Sequence, residues 1–360
     1  MFTSTRPGTR LRGAGRRGLL AHGYAKHPTA GGRRDHCEDR YQTPICSPGD
    51  PSIDTWRPTV TPASPPTLMT LGSILGEFEA DATRAHDAHR NGRPGGPVTA
   101  FRAFDSALGG AIQQGIHVYH GGPGTGKTAL VLQIAATCGT PALFVSCEMS
   151  PLELLRRITS RVTGTFLSRI RSGELPPEDA MALARRAVEA CPLLAVIDAT
   201  GGNSPSVEHL HEAVASVRAM ATRATVAERH ALAEGAVLVI DSGHAWAAGL
   251  GGASMPEYDR LNDAIGGLHA LSGASRIAIL VTAERSRASM KSDGMSSTAG
   301  TRTWEYRAET VVAMDDDETG ATSGPGVKLI KLKISKNRNG STAEFRLGFR
   351  PAMMTFKEVA

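Results

Sequence analysis

Gly121-Gly122-Pro123-Gly124-Thr125-Gly126-Lys127-Thr128 places four glycines, a lysine and a hydroxyl in the spacing G-x-x-x-x-G-K-T. Glycines let a backbone turn so tightly that several N–H groups point at one anion. A helix starting at the end of such a loop adds the partial positive charge of its N-terminus. Lys127 is then placed for the β- and γ-phosphates of a nucleotide, and the Thr128 hydroxyl for Mg²⁺. The chemistry implied is binding of a nucleoside triphosphate, with ATP and Mg²⁺ as the expected ligands. The competing reading is a glycine-rich turn that matches by accident. The flanks argue against it. Ile116, Val118 and Tyr119 read as a short buried strand, and Ala129 to Ala136 as a helix, which is the strand–loop–helix context this loop requires.

Two carboxylates follow at useful places. Val237-Leu238-Val239-Ile240 is an apolar run that ends in Asp241, about 110 residues after the loop. A buried strand of that kind delivers Asp241 beside Mg²⁺, so Thr128 and Asp241 are the expected metal ligands. Val196-Ile197-Asp198 is a weaker rival with a shorter run. Glu148 stands at the end of Leu143-Phe144-Val145-Ser146-Cys147 and suits a base that deprotonates an attacking water. A structural role fits the same stretch, with Ser150 capping a helix that begins at Pro151; the two readings are compatible.

Basic residues cluster in two stretches. Lys328 to Arg350 is basic on a strand pattern, and Ser335-Lys336-Asn337-Arg338-Asn339-Gly340 ends in a turn signal. A charged hairpin face is the plain reading; the functional one is Arg338 reaching a neighbour's γ-phosphate with Lys336 beside it. Residues 285–303 show no apolar period, and Arg285, Arg287 and Lys291 there are candidates for phosphate contacts on DNA. No aromatic residue interleaves with them, so base stacking is not indicated. Residues 243–254 read as a second flexible loop on the same side.

The elements that must position these residues alternate. Strands are expected at 116–120, 142–147, 193–198, 236–241, 277–283, 309–314, 327–335 and 342–349. Helices are expected at 127–137, 151–163, 177–190, 206–233 and 256–272. Alternation of this kind predicts an α/β fold, a mainly parallel central sheet covered by helices on both faces. The last two strands have no helix between them and are expected to be antiparallel at the C-terminal edge. Ligands bind such sheets beyond the carboxyl ends of the strands. The loop at 121–128, Glu148, Asp241 and Glu284 all fall there.

Upstream, residues 1–66 are rich in Arg, Gly, Pro, Ser and Thr and read as a disordered basic tail. Residues 1–65 carry a net charge of +5, which is the net charge of the whole chain. The remainder is neutral, so DNA binding by the core must come from local loops. Met69, directly before the first periodic segment, is an alternative start. Leu71, Ile74, Leu75, Phe78, Ala82 and Ala85 recur at helical spacing, and Asn91-Gly92-Arg93-Pro94-Gly95-Gly96-Pro97 breaks that helix. Residues 67–97 are therefore read as a linker helix and breaker, and 98–360 as the ATPase domain. The helix has nothing local to pack on and is expected to dock on a neighbouring subunit. No apolar run approaches a membrane span. An odd five cysteines with no C-x-x-C pair fit reduced thiols in a cytoplasmic protein. His36, Cys37 and Cys46 make at most half a metal site.

Together these segments resemble the C-terminal ATPase domain of DnaB-like bacterial replicative helicases, within the RecA-like superfamily. The resemblance runs over about residues 70–356. It is carried by Phe104-Asp105-Ser106-Ala107-Leu108-Gly109-Gly110, the P-loop, Phe144-Val145-Ser146-Cys147-Glu148-Met149-Ser150, Ile170-Arg171-Ser172-Gly173-Glu174-Leu175, Val239-Ile240-Asp241 and Lys336-Asn337-Arg338-Asn339-Gly340. It implies a RecA-like P-loop fold and a homo-oligomer, a hexameric ring, that binds ATP between subunits and threads single-stranded DNA in replication. It implies that Glu148 is the catalytic base and that Lys336 and Arg338 act in trans. The chain departs from the family in three places. No N-terminal helical domain is apparent in residues 1–66. Asp241-Ser242-Gly243-His244 replaces the family's Asp-Tyr-Leu-Gln. Ala283 or Glu284 stands where the family has Gln. The alternatives to a helicase motor are a RadA-like recombination ATPase and a nucleotide-switched regulatory protein without unwinding activity.

Overall fold

The computed structural model describes residues 68–222, 235–251, 255–284, 299–317 and 324–359. The basic tail, the end of the helix expected at 206–233, and Arg285, Arg287 and Lys291 lie outside the described residues.

Nine strands form one sheet: β1 (Gly115–Gly121), β2 (Ala142–Ser146), β3 (Leu194–Asp198), β4 (Val237–Asp241), β5 (Ala278–Glu284), β6 (Thr310–Asp316), β7 (Lys328–Asn337), β8 (Ala343–Arg350) and β9 (Thr355–Glu358). Their order is β3-β2-β4-β5-β1-β6-β7-β8-β9. Pairing is parallel from β3 through β6 and antiparallel from β6 to β9. The mixed architecture expected from the sequence is therefore present, with the antiparallel edge longer by one strand. β9 has only four residues, too few to show a period.

Helices cover both faces. Apart from α1 (Leu75–Arg90), which buries no residue, they include α2 (Arg102–Ala107), α3 (Lys127–Thr137), α4 (Pro151–Thr163), α5 (Leu167–Ser172), α6 (Pro177–Ala190) and α7 (Val207–Thr222), followed by Gly243–Ala248, Glu257–Ser275 and Ala299–Arg307. The central strands are buried on both sides and split their side chains by period two. Val237 and Val239 enter one apolar cluster with α3 and α4. Leu238 and Ile240 enter the other, with α7 and the helix Glu257–Ser275.

Two expected loops are partly helical. The segment at 243–254 begins with the helix Gly243–Ala248. Trp246 is fully buried there, and its indole N–H donates to Pro205 O at 3.0 Å. A Cβ at Gly243 would come within 2.5 Å of Val281 and 2.8 Å of Trp304, so a glycine is required by close packing and not by flexibility. The segment at 285–303 ends inside the helix Ala299–Arg307, where Trp304 is fully buried. Both helices are short and hold one large apolar anchor each, which leaves no period to read.

Register decides where the polar ends meet. Gly121 is opposite Glu284, and Ser146 is opposite Asp241. The carboxyl ends of β1, β2, β4 and β5 thus share one edge of the sheet. β7 runs the other way: Asn337 pairs with Thr310, which pairs with His117 at the start of β1. The turn after β7 therefore lies at the opposite edge.

α1 has no buried residue. Leu71, just before it, and Phe78, within it, are 82% and 70% exposed. One exposed ion pair, Arg276 to Glu77 at 2.8 Å, ties it to the helix end at Ser275. Among the described residues no helix is long and apolar enough to cross a membrane.

Candidate nucleotide site

The loop between β1 and α3 is held from below. A Cβ at Gly121 would meet Met314 O at 2.3 Å, and one at Gly126 would meet the Phe356 ring at 2.8 Å. Gly126 also has φ +88, a conformation that disfavours any side chain. The Phe356 ring stacks on Phe349 with centroids 4.4 Å apart, so the loop rests on a rigid aromatic base. Lys127 donates to Gly121 O at 2.9 Å and Gly122 O at 3.0 Å. Burial pushes its ammonium below the ordinary range, opposed by the nearby Glu284, Asp241 and Glu148 carboxylates.

Asp241 is 2% exposed. Its Oδ1 accepts from Thr128 Oγ1 at 3.2 Å and from Thr282 Oγ1. Its Oδ2 is buried and accepts no hydrogen bond among the described residues. Burial raises its pKa, and the two hydroxyls lower it only in part. A carboxyl buried with one oxygen unsatisfied is suited to a cation. Mg²⁺ is commonly held by one or two carboxylates together with substrate phosphates. Thr128 and Asp241 meet that requirement. No cluster of three or more His, Cys, Asp or Glu suited to a metal exists among the described residues.

Glu148 is exposed and lines the same cavity of about 370 Å³ as Lys127, Thr128 and Asp241. Ser150 caps α4, its Oγ accepting from Glu153 N at 3.3 Å, so the capping expected of this stretch is present and leaves the Glu148 side chain at the cavity. The cavity also takes in Thr282, Glu284, Arg157, Phe349, Pro351 and Met354, of which sequence reasoning had singled out only Glu284. Thr282 was legible in principle, being two residues before Glu284 on a strand. Arg157 and Met354 carry no local signal, because they reach the cavity only through the docking of α4 on the C-terminal edge. A larger groove, about 1410 Å³, runs between α1 and the amino ends of the strands, and none of the P-loop residues, Glu148, Asp241 or Glu284 lies in it.

Lys336 and Arg338 do not join this cavity. Lys336 Nζ donates to Glu305 O at 3.0 Å and Tyr306 O at 2.9 Å. Arg338 Nη1 pairs with Glu309 Oε1 at 3.0 Å while its side chain stays 50% exposed. The turn that carries them is docked: Asn337 Nδ2 donates to Ala107 O at 2.8 Å, and a Cβ at Gly340 would meet the same carbonyl at 2.4 Å. Two segments separated by some 230 residues, at 104–110 and 336–340, are thereby packed together.

The sequence matches the family of DnaB-like helicase C terminal domains over residues 96–358. Among solved structures, an isolated ATPase domain superposes with a TM-score of 0.65 at 15% identity, covering 80% of this chain and 99% of that one. A DnaB-like replicative helicase, solved for its interactions with primase, superposes with a TM-score of 0.63 at 14% identity, covering 82% and 68%. Among curated proteins, the DNA repair protein RadA of Treponema pallidum (strain Nichols) is 41% identical over 81 residues. That match spans 22% of this chain and 16% of RadA.

Proposed function

The chain belongs to the DnaB-like helicase C terminal domain family, and from that premise we propose that it is an ATP-hydrolysing motor that acts on single-stranded DNA in replication. One observation carries the reading: the residues expected to act on ATP lie at two opposite edges of the sheet. The P-loop, Glu148 and Asp241 lie at the carboxyl ends of the strands, while Lys336 and Arg338 lie at the amino end of β1. Arg338 therefore serves the γ-phosphate of an adjacent copy and not that of its own subunit, which requires an oligomer; a hexameric ring fits the family.

In this reading the loop N–H groups and Lys127 hold the triphosphate. Glu148, exposed at the cavity two residues beyond the end of β2, takes a proton from the attacking water. Asp241 and Thr128 would hold Mg²⁺, which would supply positive charge to offset that of the triphosphate. The neighbour's Arg338 stabilises charge that develops as the γ-phosphoryl leaves, with Lys336 orienting the same turn. β5 ends at Glu284, directly before Arg285, Arg287 and Lys291, which are assigned to the DNA backbone. α1 and the turn before it dock through Leu71, Leu75 and Phe78, all exposed in the single chain, on the next subunit.

The RadA-like alternative is not favoured, because that likeness is confined to 81 residues whereas the helicase family match runs over 96–358. Comparing the ATPase rate with and without single-stranded DNA tests the proposal. Stimulation by DNA is expected; a nucleotide-switched regulator would show none. Strand displacement on a forked substrate then separates a helicase from a recombination ATPase.

A further inference from the structure

We propose that Lys328 is a positioning residue for the P-loop, fastening the crown of the loop to the C-terminal edge of the sheet. The inference rests on reading the cavity as an ATP site. Lys328 opens β7. β7 is antiparallel to β6, so its first residue lies at the edge where β1 ends, away from Lys336 and Arg338. There its Nζ donates to Gly124 O at 3.3 Å and pairs with Asp316 Oδ1 at 2.8 Å.

The base of the loop is packed and its crown is open. A Cβ at Gly121 or Gly126 would press on Met314 or Phe356, whereas nothing lies within 4 Å of one at Gly124, where φ is +78. A glycine in open space is the freest point of such a loop. The Gly124 carbonyl and the Thr125 N–H belong to one planar peptide unit, so a donor that holds the oxygen fixes the direction of the N–H. Thr125 N–H donates to Gly122 O at 3.4 Å, a long bond that a phosphate can displace. Loop N–H groups of this kind cradle the α- and β-phosphates. Lys328 does not line the cavity, while Gly124 does, so the lysine acts through the loop and not on the nucleotide. Asp316 offsets its charge and keeps the ammonium beside the carbonyl. The ion pair by itself contributes little, since the two side chains are 36% and 52% exposed. The gain comes from a crown that is ordered before the nucleotide arrives.

The test measures ATP and ADP binding, and steady-state ATP turnover, on the full chain in Mg²⁺. Both nucleotides carry the phosphates that the crown holds. Lys328→Met should therefore weaken both equally, about 3- to 10-fold. KM for ATP should rise by the same factor with kcat unchanged, because the loop binds substrate and transition state alike. The melting temperature of the nucleotide-free chain should stay where it is. Lys328→Arg keeps a charged donor and should restore most of the affinity. Unchanged affinity in the methionine variant would reduce the contact to a surface ion pair and overturn the proposal. So would weakening of ATP alone, which would put Lys328 on the γ-phosphate. A lower kcat at unchanged KM, a lower melting temperature or no recovery with arginine would also overturn it. If the wild-type chain binds neither nucleotide, the ATP reading itself fails, and the role of Lys328 falls with it.

Discussion

Asp241 shows how a single residue links stability to function. Its carboxyl is buried, and burial raises its pKa above the ordinary 3.8. The folded chain therefore keeps that proton to a higher pH than the unfolded chain does. The contribution to stability falls as pH rises from about 3.8 through the raised value, and the ionised carboxylate is a cost at neutral pH. Asp241→Asn should raise the melting temperature of the nucleotide-free protein at pH 7. Its Oδ1 still accepts from Thr128 and Thr282, but Mg²⁺-dependent turnover should be lost. A lower melting temperature would show that burial is not the dominant influence on this carboxyl. Glu148 carries the opposite expectation. It is exposed, and as the proposed base it would contribute to chemistry without supporting the fold. Glu148→Gln should keep ATP affinity and melting temperature while turnover drops about 10²–10⁴-fold. Loss of affinity with retained turnover would assign it to binding.

At the scale of the element, β1 is a central strand that carries a histidine in its interior. His117 is 2% exposed, and its Nε2 lies 2.7 Å from Gln113 O, so the neutral ring donates there. Burial lowers its pKa to about 4, against 6.5 for the ordinary group. Between these values the unfolded chain takes up a proton that the folded chain refuses. Stability is fully present above pH 6.5 and is lost as pH falls toward 4. The loss attributable to this ring is on the order of 3 kcal/mol. His117→Gln retains a donor and removes the titration. Denaturant midpoints from pH 7 down to 4.5 should fall less steeply in that variant than in the wild type; parallel curves would refute the assignment. β1 must stay in register because its end is the P-loop, opposite Glu284, so acid should impair nucleotide binding along with the fold.

For the whole molecule, the proposal that Arg338 acts on an adjacent copy's nucleotide implies that one subunit alone would not turn over at the full rate. An arginine acting on the γ-phosphate contributes about 10³–10⁵ in rate in other phosphoryl-transfer enzymes. Lys127→Ala and Arg338→Ala should each be inactive alone. When the two are mixed equally and allowed to exchange, an Arg338→Ala subunit offers an intact P-loop and a Lys127→Ala subunit an intact Arg338. Random assembly places them in the productive order at about one interface in four. Activity should then return in part, unless coupling around the assembly reduces it. No recovery in confirmed mixed assemblies, with wild-type subunits active after the same exchange, would place Arg338 outside the site, as would a monomer with full ATPase.

Much of this was legible from local pattern. G-x-x-x-x-G-K-T between a strand and a helix specifies its own geometry, because glycine spacing and a helix N-terminus act within a dozen residues. The eight strands and the five long helices were readable because each buries a face with a regular period. Asp241 and Glu148 followed from their place at strand ends. The short helix Gly243–Ala248 and the ninth strand were not readable, since each is shorter than the period that would reveal it. The common edge of the P-loop, Glu148, Asp241 and Glu284 was readable too, from the parallel alternation, but only the tertiary structure decided the register that sets Lys336 and Arg338 at the opposite edge. Antiparallel β7 carries Lys336 and Arg338 away from the P-loop, and no local pattern encodes that separation because register is set between strands distant in sequence. The same holds for Arg157 and Met354, 197 residues apart. Nothing local marks either residue, and only the packing of α4 against the C-terminal edge brings them to one cavity wall.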